Sequence, residues 1–313
     1  MNIKKVLLIN PPASYFKTRS KKVKRSRSCS PPMGLCYLAT FISDQFKVKV
    51  LDALVEGFTH EEDDVRGMVR VGLSPEQIKT EIKEYQPDIV GVSSMFSDQH
   101  RNASLVCWLA KEVNPEIYTV VGGTHPSSNP EKVLKEEFLD FVILGEGEVS
   151  FLNLLNYLNG EGDIGAIDGI AYRENSHITV KTKKVFNEDL DSIPIPNRDF
   201  LPMDKYFNLS RAHGPTKYPQ HTNVISSRGC PAKCIFCSIH SIWGKNYRFR
   251  SVENVIAEIE YLVREYGIKE IQFEDDNLLV NRVRAIKLLK GIIEMDLGIC
   301  WSTPNGVAVW TLD

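Results

Sequence analysis

The sequence lacks any apolar run that approaches the roughly 18 to 20 residues needed to cross a bilayer. Its start, MNIKKVLLINPP, has neither the long apolar core nor the small-residue cleavage site of a signal peptide. An excess of charge is missing as well, because 38 Lys and Arg residues stand against 40 Asp and Glu residues, for a formal net charge of -2. We therefore expect a cytoplasmic protein with no membrane span and no nucleic-acid partner.

One segment departs from this even charge balance. Residues 17–28 read KTRSKKVKRSRS, a run in which basic residues dominate. We expect a solvated loop near the entrance of an active site, and the alternative is a surface for an anionic ligand or partner.

Cysteine is scarce, with seven in 313 residues, yet three of the seven lie within eight positions. These are Cys230, Cys234 and Cys237, in the stretch SRGCPAKCIFCSIH that follows a β-branched run. An odd number of cysteines, three of them clustered, favours metal or redox chemistry over disulfides in a cytoplasmic protein. The four scattered cysteines are expected to be small core or loop residues: Cys29, Cys36, Cys107 and Cys300.

Residues 1–160 repeat one rhythm, in which a short apolar run is followed by a turn and a helical pattern. The runs are continuous rather than alternating, as in strands that are covered on both faces. Alternating βα units predict an α/β domain, a Rossmann-like parallel sheet wound on both faces, with its ligand crevice at the carboxyl ends of the strands. The predicted strands are residues 4–10, 47–52, 88–94, 118–123 and 140–146.

Two of the intervening helices carry start signals. Ser74 is placed to cap the first, with Pro75 at its first position and Gln77 completing a capping box. Asn129 followed by Pro130 repeats the device before EKVLKEEF. Both segments are therefore expected to begin helices between the strands.

The pattern changes after residue 160. Residues 161–215 contain a small hairpin, predicted to turn at Asn175 and Ser176, and a proline-spaced linker that cannot hold regular structure. A second βα series occupies residues 216–313, with strands in TNVISSR, KEIQFED and GICWSTP and helices at about 253–266 and 282–296. We expect the domain boundary in the linker.

The three clustered cysteines have the spacing C-x3-C-x2-C, on a loop after the first strand of this second series. Three thiolates can hold one face of an iron–sulfur cubane and leave the fourth iron open to substrate, whereas ferredoxin-type sites supply four cysteines. The alternative is a structural zinc site, because His240 lies three residues after Cys237 and completes a Cys3His set. Against zinc, such sites usually draw their ligands from two separated knuckles.

The stretch CPAKCIFC resembles the signature of the radical S-adenosylmethionine (SAM) enzymes, in which an aromatic residue, here Phe236, precedes the third cysteine. The resemblance implies that Cys230, Cys234 and Cys237 hold a [4Fe-4S] cluster and that Phe236 packs near the adenine of SAM. In that family the open iron binds the amino and carboxylate groups of SAM. One electron then breaks a carbon–sulfur bond to give a 5'-deoxyadenosyl radical, which implies an external electron donor such as flavodoxin or ferredoxin.

The stretch IQFEDDNLL, at the end of the second strand of this series, looks like a motif of the cobalamin-dependent branch of these enzymes. By this resemblance Asp275, Asp276 and Asn277 bind SAM, because acceptors at this position take its ammonium group in a charge-assisted bond. The alternative is a solvated acidic strand end. Asn305, in TPNGV, is a further candidate for the same pocket, with a plain turn as its alternative.

An α/β domain ahead of a radical domain resembles the cobalamin-binding domain of the same branch. Ser94 and Gly122 are 28 positions apart, close to the spacing between the serine and the glycine pair in such domains, and LGEGE at 144–148 also matches. The glycine pair in VVGGTHPS lets a ligand approach the backbone closely. For His125 the alternative is a packed turn residue. The resemblance places the following residues around cobalamin: Ser93, Ser94, Gly122, Gly123, Thr124, His125, Pro126, Gly145, Glu146 and Gly147.

One loop departs from the cobalamin mutases, which carry D-x-H-x-x-G after the first strand with its histidine on cobalt. Here that loop reads NPPASYF and contains no histidine, while DQHRNA at 98–103 follows the third strand instead. We therefore expect cobalamin with its base displaced and no protein histidine on cobalt, a state that suits methyl transfer.

The second series is short for a radical SAM domain, which needs about six βα units of some 30 residues each. From Cys230 to Asp313 there are 84 positions, room for about three strands. We expect the first half of a (β/α) partial TIM barrel, either in a fragment of a longer enzyme or in a truncated relative with an open half-barrel.

The resemblance implies a cobalamin-dependent radical SAM enzyme. The leading hypothesis is a methyltransferase that uses methylcobalamin to act on a small-molecule or peptide substrate at an unactivated carbon or phosphorus centre. In such an enzyme the cofactors do the chemistry while the protein positions them. One alternative is a cyclase or rearrangement enzyme of the same branch, and the other is a non-catalytic module that binds cobalamin or a metal.

Overall fold

The computed structural model describes residues 3–16, 29–174, 177–209, 213–308 and 311. The basic segment 17–28 and the predicted turn at Asn175 and Ser176 lie outside the described residues. The chain divides into two compact units. The first comprises Met1–Arg25, Pro32–Phe186 and Pro196–Leu201, and the second comprises Ser26–Pro31, Asn187–Ile195 and Pro202–Asp313.

The first unit is built on a seven-stranded sheet. Its helices and strands, in chain order, are β1 (Lys5–Asn10), β2 (Ala13–Phe16), α1 (Met33–Ile42), β3 (Lys47–Asp52), α2 (Ala53–Glu56), β4 (Glu61–Asp63), β5 (Met68–Val71), α3 (Pro75–Tyr85), β6 (Ile89–Ser93), α4 (His100–Val113), β7 (Tyr118–Gly122), α5 (Thr124–Ser128), α6 (Pro130–Val133), β8 (Phe141–Ile143), α7 (Glu148–Leu158), β9 (Ile170–Glu174) and β10 (His177–Lys181).

Five strands of the large sheet are parallel, in the order β3-β1-β6-β7-β8. This is the 2-1-3-4-5 order of flavodoxin-like sheets, in which ligands bind outside the carboxyl ends of the strands at the point where the order reverses. Here the order reverses between β1 and β6. The predicted hairpin forms β9 and β10, and β9 pairs antiparallel with β8, so the hairpin extends this sheet.

Alternate residues of β1 are buried on opposite faces of the large sheet. Leu7 and Ile9 belong to the core on one face, together with Val106 of α4. Leu8 belongs to the core on the other face, together with Leu154 of α7. Burial on both faces explains the continuous apolar strands and confirms the doubly wound α/β sheet that the sequence predicted.

The two predicted helix starts differ in the structure. Ser74 caps α3 through a complete capping box, in which its hydroxyl accepts from the backbone N–H of Gln77 at 3.2 Å and the Gln77 side chain accepts from the Ser74 N–H at 2.9 Å. Asn129 stands at the equivalent position before Pro130, but its side chain makes no capping hydrogen bond and the helix has only four residues. The expectation of a second side-chain cap was wrong.

A small antiparallel sheet in the order β2-β5-β4 was not predicted. Its strand β4 reads EED, and acidic residues are depleted in strands. Strand β4 therefore forms because it pairs with β5, although its own residues do not favour a strand.

The second unit contains α8 (Met203–Leu209), β11 (His221–Val224), β12 (Ser227–Arg228), α9 (His240–Trp243), β13 (Arg248–Phe249), α10 (Val252–Tyr266), β14 (Glu270–Phe273), α11 (Arg282–Glu294) and β15 (Cys300–Ser302). Strands β11, β14 and β15 form a parallel sheet in that order, with α10 and α11 between successive strands. This is the beginning of the expected (β/α) barrel. In the described part of the chain, no helix combines the length and the apolarity that crossing a membrane requires.

Candidate cofactor sites

The carboxyl ends of β6 and β7 bring together residues predicted around cobalamin. Ser93 ends β6 and Gly122 ends β7, and the two residues are paired in register. The next residue, Ser94, is buried and donates its backbone N–H to the carbonyl of Gly122 at 2.8 Å. The carbonyl of Ser94 accepts from the backbone N–H of His125 at 3.2 Å. The two loops therefore form one continuous backbone surface at the strand ends.

The second glycine of the pair is required by close packing in this surface. Gly123 has a φ of +112°, and a Cβ at this position would lie 2.7 Å from the carbonyl oxygen of Ser94. At Gly122, by contrast, a Cβ would meet nothing nearer than 3.7 Å. Gly123 thus allows the two loops to pack closely, whereas packing within the protein does not require glycine at position 122.

The loop after β8 joins the same edge of the sheet. Gly145, with a φ of +67°, donates its backbone N–H to the hydroxyl of Ser127 at 2.9 Å, and that hydroxyl donates to the carbonyl of Gly123 at 2.7 Å. The remaining predicted residues flank these loops: Thr124 and Pro126 in α5, the buried Glu146, and Gly147 at the start of α7.

Two histidines pack against each other beside these loops. The ring centroids of His100 and His125 are 4.4 Å apart, His100 Nδ1 lies 3.0 Å from the Ser94 hydroxyl, and His125 Nδ1 lies 2.8 Å from the Ser97 hydroxyl. Burial lowers the pKa of His100 to about 4, with the charges of His125 and Lys132 acting in the same direction, so His100 is neutral at pH 7. Sequence reasoning missed this pair. The signal was that DQHRNA and GGTHPS follow adjacent parallel strands.

The three clustered cysteines lie on an open loop between β12 and α9. Cys234 and Cys237 are exposed and Cys230 is half-buried, and the backbone N–H of Cys237 donates to the carbonyl of Cys234 at 3.1 Å. Burial raises the pKa of the Cys230 thiol, and the charges of Asp276, Cys237 and Cys234 add to the increase. Within the described residues, no three His, Cys, Asp or Glu side chains stand close enough to hold a metal ion.

Two other residues of this loop bear on the alternatives. Phe236, predicted to pack near adenine, is 89% exposed, so its ring makes little contact with the rest of the protein. His240 Nε2 lies 2.9 Å from the carbonyl oxygen of Cys230. This contact occupies one of the two ring nitrogens through which His240 could bind zinc.

Asp275 is buried directly after β14, against the segment that precedes the cysteine loop. Its carboxylate is 2% exposed and accepts from the backbone N–H of Ser226 at 3.1 Å, from the Ser226 hydroxyl at 2.7 Å and from the Ser227 hydroxyl. Burial raises the pKa of Asp275, while these hydrogen bonds oppose the increase. In this structure Asp275 positions the segment that leads into the cysteine loop.

The next two residues face the start of the cysteine loop. Asp276 accepts from the backbone N–H of Gly229 at 3.2 Å, and burial together with the charge of Asp275 raises its pKa to about 6. Asn277 is 2% exposed, and among the described residues its Nδ2 has no hydrogen-bond partner. Asn305 lies in a turn, and its side chain donates to the carbonyl of Glu274 at 3.1 Å, so it is close to this strand end.

The side chains at these two sites suit the groups that the sequence implies. Three free thiols on an exposed loop match a cluster that keeps one iron open, and the buried amide of Asn277 offers a polar contact nearby. The backbone surface at Ser94 and Gly122 matches a ligand that lies close to the main chain. The residues needed to bind these groups are therefore present, although the three thiols do not lie close enough together in this structure to hold a metal ion.

Two families match the chain in sequence order. Residues 22–155 match the B12 binding domain, and residues 224–308 match the Radical SAM superfamily. A cobalamin-type doubly wound sheet followed by a partial barrel with a three-cysteine loop defines a cobalamin-dependent radical SAM protein. The chain belongs to this family, as its sequence signature indicated. The two domains imply cobalamin, SAM and a [4Fe-4S] cluster.

Known proteins resemble the chain over most of its length. It is 34% identical over 334 residues to cytidylyl-2-hydroxyethylphosphonate methyltransferase of Streptomyces wedmorensis, across 99% of the chain and 61% of that protein. It is 31% identical over 279 residues to anaerobic magnesium-protoporphyrin IX monomethyl ester cyclase of Rubrivivax gelatinosus, across 87% of the chain and 46% of that protein.

The solved structure of the cobalamin-dependent S-adenosylmethionine radical enzyme OxsB matches with a TM-score of 0.73 at 18% identity, over 96% of the chain and 38% of that protein. At this identity the match shows a shared fold. The chain spans less than two thirds of each of these three proteins.

Proposed function

We propose that the chain forms part of a cobalamin-dependent radical SAM methyltransferase. The observation that carries the proposal is the open loop with three free thiols that follows β12, shortly after strand β11 of the partial barrel, on a chain that also has a B12 binding domain. The likeness to a methyltransferase at 34% identity supports methyl transfer as the reaction. The substrate is a small molecule or a peptide, and an external donor such as flavodoxin or ferredoxin supplies electrons.

In this proposal the second unit holds the cluster and SAM. Cys230, Cys234 and Cys237 bind three irons as thiolates, and the exposed Phe236 packs against the adenine once SAM is bound. Asp276 and Asn277 take the ammonium group, while Asp275 is already satisfied by Ser226 and Ser227 and orients the loop. When bound, the cluster and SAM supply radical chemistry and cobalamin supplies the methyl group.

The first unit holds cobalamin along the carboxyl ends of β6, β7 and β8, where Ser94, Gly122 and Gly145 present backbone groups. The loop after β1 has no histidine, so no protein imidazole is offered to cobalt from that position. We assign residues 1–160 to cobalamin binding, 161–215 to the hairpin and linker, and 216–313 to the radical SAM barrel. The family matches, which end at residue 155 and begin again at residue 224, support this assignment.

A ring-forming reaction is the second candidate. The 31% identity to the protoporphyrin ester cyclase favours it, since the similarity to that protein extends along 87% of the chain. The two candidates differ in their product, because only methyl transfer adds a carbon from SAM.

The test uses anaerobically reconstituted, reduced protein with SAM that carries a CD3 group, and cytidylyl-2-hydroxyethylphosphonate as the candidate substrate. Formation of 5'-deoxyadenosine together with gain of one CD3 group by the substrate is expected. Cys234→Ala serves as the control and is expected to form neither product. Release of 5'-deoxyadenosine with no CD3 in any product would favour the cyclase, and failure of the protein to take up either an iron–sulfur cluster or cobalamin on reconstitution would contradict both candidates.

A further inference from the structure

One face of the parallel sheet in the second unit is polar at every position except Cys300. Side chains alternate between the two faces of a strand, and the register pairs Asn223 of β11 with Gln272 of β14, and Gln272 with Ser302 of β15. The residues that share this face are His221, Asn223, Glu270, Gln272, Cys300 and Ser302. The opposite face carries the fully buried Ile271 and Phe273, as expected of the side that lies under the helices.

Gln272 lies at the centre of the polar face. Its side chain is 0% exposed, and neither its Nε2 nor its Oε1 has a hydrogen-bond partner in the described part of the chain. Two further buried atoms on this face also lack a hydrogen-bond partner among the described residues: Ser302 Oγ, in the neighbouring strand, and His221 Nε2. Three side chains of one sheet face thus keep unused donors and acceptors away from water.

A buried amide without a hydrogen-bond partner destabilises a fold, so Gln272 does not stabilise this sheet as an apolar core residue would. The inner face of a (β/α) barrel is usually filled with Val, Ile and Leu. Here it carries an amide and a hydroxyl at the level just before Asp275, Asp276 and Asn277, where the radical chemistry is proposed. The unused groups are explained if a bound molecule supplies their partners.

We infer that the polar face is a substrate-recognition surface, and that Gln272 and Ser302 are specificity residues for a small molecule rich in hydrogen-bond donors and acceptors rather than for a flat apolar ring. This inference rests on the proposed function. The polar face would bind the part of the substrate that lies away from the reacting atom. Gln272 offers both an N–H donor and a carbonyl acceptor to one polar group in that part of the substrate.

The first experiment measures the thermal midpoint of the protein without substrate. Gln272→Leu, which removes an unpartnered amide while keeping its bulk, is expected to raise the midpoint by about 2 to 6 °C. The matched control is Gln99→Leu, which removes an amide whose Nε2 donates to the Ser14 carbonyl at 2.8 Å and whose Oε1 accepts from the Ser14 N–H at 2.7 Å. This control is expected to lower the midpoint. A lower midpoint for Gln272→Leu would overturn the inference.

The second experiment measures equilibrium binding to the reconstituted protein with two probes, cytidylyl-2-hydroxyethylphosphonate and magnesium-protoporphyrin IX monomethyl ester. The polar probe is expected to bind more tightly, and Gln272→Leu and Ser302→Ala are each expected to weaken its binding by about 5- to 100-fold. Preference for the porphyrin, binding of neither probe, or unchanged affinity in both variants would overturn the inference.

Cofactor content and 5'-deoxyadenosine formation are measured on the same samples. A protein that carries iron and cobalt and cleaves SAM, but shows no preference for the polar probe, retains the proposed function and refutes the polar surface. A protein that takes up neither metal refutes the proposed function itself.

Discussion

Asp275 and Ser226 are joined by two hydrogen bonds across 49 residues of sequence, from the Ser226 hydroxyl at 2.7 Å and from its backbone N–H at 3.1 Å. Arg284 also binds Ser226, because its Nη2 donates to the Ser226 carbonyl at 2.8 Å. Because Ser226 precedes Cys230 by only four positions, the end of β14 fixes where the cysteine loop begins. The acidic strand end is thus a structural support for the candidate cluster site.

Replacement of Asp275 is expected to damage both stability and cluster uptake. Asp275→Ala leaves three buried donors without their acceptor and removes the negative charge near Arg284, a loss of about 3 kcal/mol or more in the free energy of unfolding. Urea unfolding of the apo protein measures this loss, and iron analysis after reconstitution measures cluster uptake. Glu260→Gln, an exposed change on α10, is the control. Equal stability of the two variants would contradict the supporting role of Asp275.

Gly123 offers a test of the cobalamin surface. Gly123→Ala combines a positive φ with a Cβ placed 2.7 Å from the Ser94 carbonyl oxygen, so the two loops must separate. Gly160→Ala is a matched control, because Gly160 also has a positive φ, +89°, but a Cβ there meets nothing within 4 Å.

Both glycine variants are expected to lose about 1 kcal/mol or more from backbone strain. Only Gly123→Ala should also weaken cobalamin binding, by about tenfold or more, as followed by the absorbance of protein-bound cobalamin. If the two variants bind cobalamin equally, the ligand does not lie on the loops after β6 and β7.

The buried His100 predicts a pH dependence of stability. Its pKa of about 4 in the folded protein is below the usual value of 6.5, so the unfolded chain binds the proton more readily. Stability is therefore fully present above pH 6.5 and is lost as the pH falls toward about 4, by at most about 3 kcal/mol. The neighbouring charges are His125, Lys132 and Glu136, whose Oε1 is 4.0 Å from His100 Nε2.

Urea unfolding at pH 7.5 and at pH 5 measures this dependence. His100→Gln is expected to reduce the difference between the two conditions, whereas His177→Gln, at an exposed position of β10, should leave it unchanged. An identical pH dependence in the His100 variant and the original protein would show that His100 is not the responsible group.

The parts of the fold that the sequence predicts are those in which local pattern and burial agree. Strand β1 reads KVLLIN, and its continuous apolar run follows from burial on both faces. The antiparallel strand β4 reads EED and gave no such signal. Similarly, the polar face around Gln272 is invisible in the four-residue strand EIQF, because its partners on the same face come from strands some 30 to 50 residues away and depend on register.

The candidate sites show the same division. The cysteine spacing and the glycine pair are local patterns, and the sequence predicts them directly. The hydrogen bonds from Ser226 to Asp275 and the ring contact between His100 and His125 join separate loops, so they appear only once adjacent strand ends are placed side by side.

Metal analysis of protein purified without oxygen from cells supplied with cobalamin is the most direct test of whether the chain holds both cofactors. The single variants Cys230→Ala, Cys234→Ala, Cys237→Ala and Cys300→Ala are analysed beside it. We expect about four irons and one cobalt per chain, loss of iron but not of cobalt in the first three variants, and no loss of either metal in the Cys300 variant. About one zinc per chain with neither iron nor cobalt would contradict the assignment of both cofactor sites.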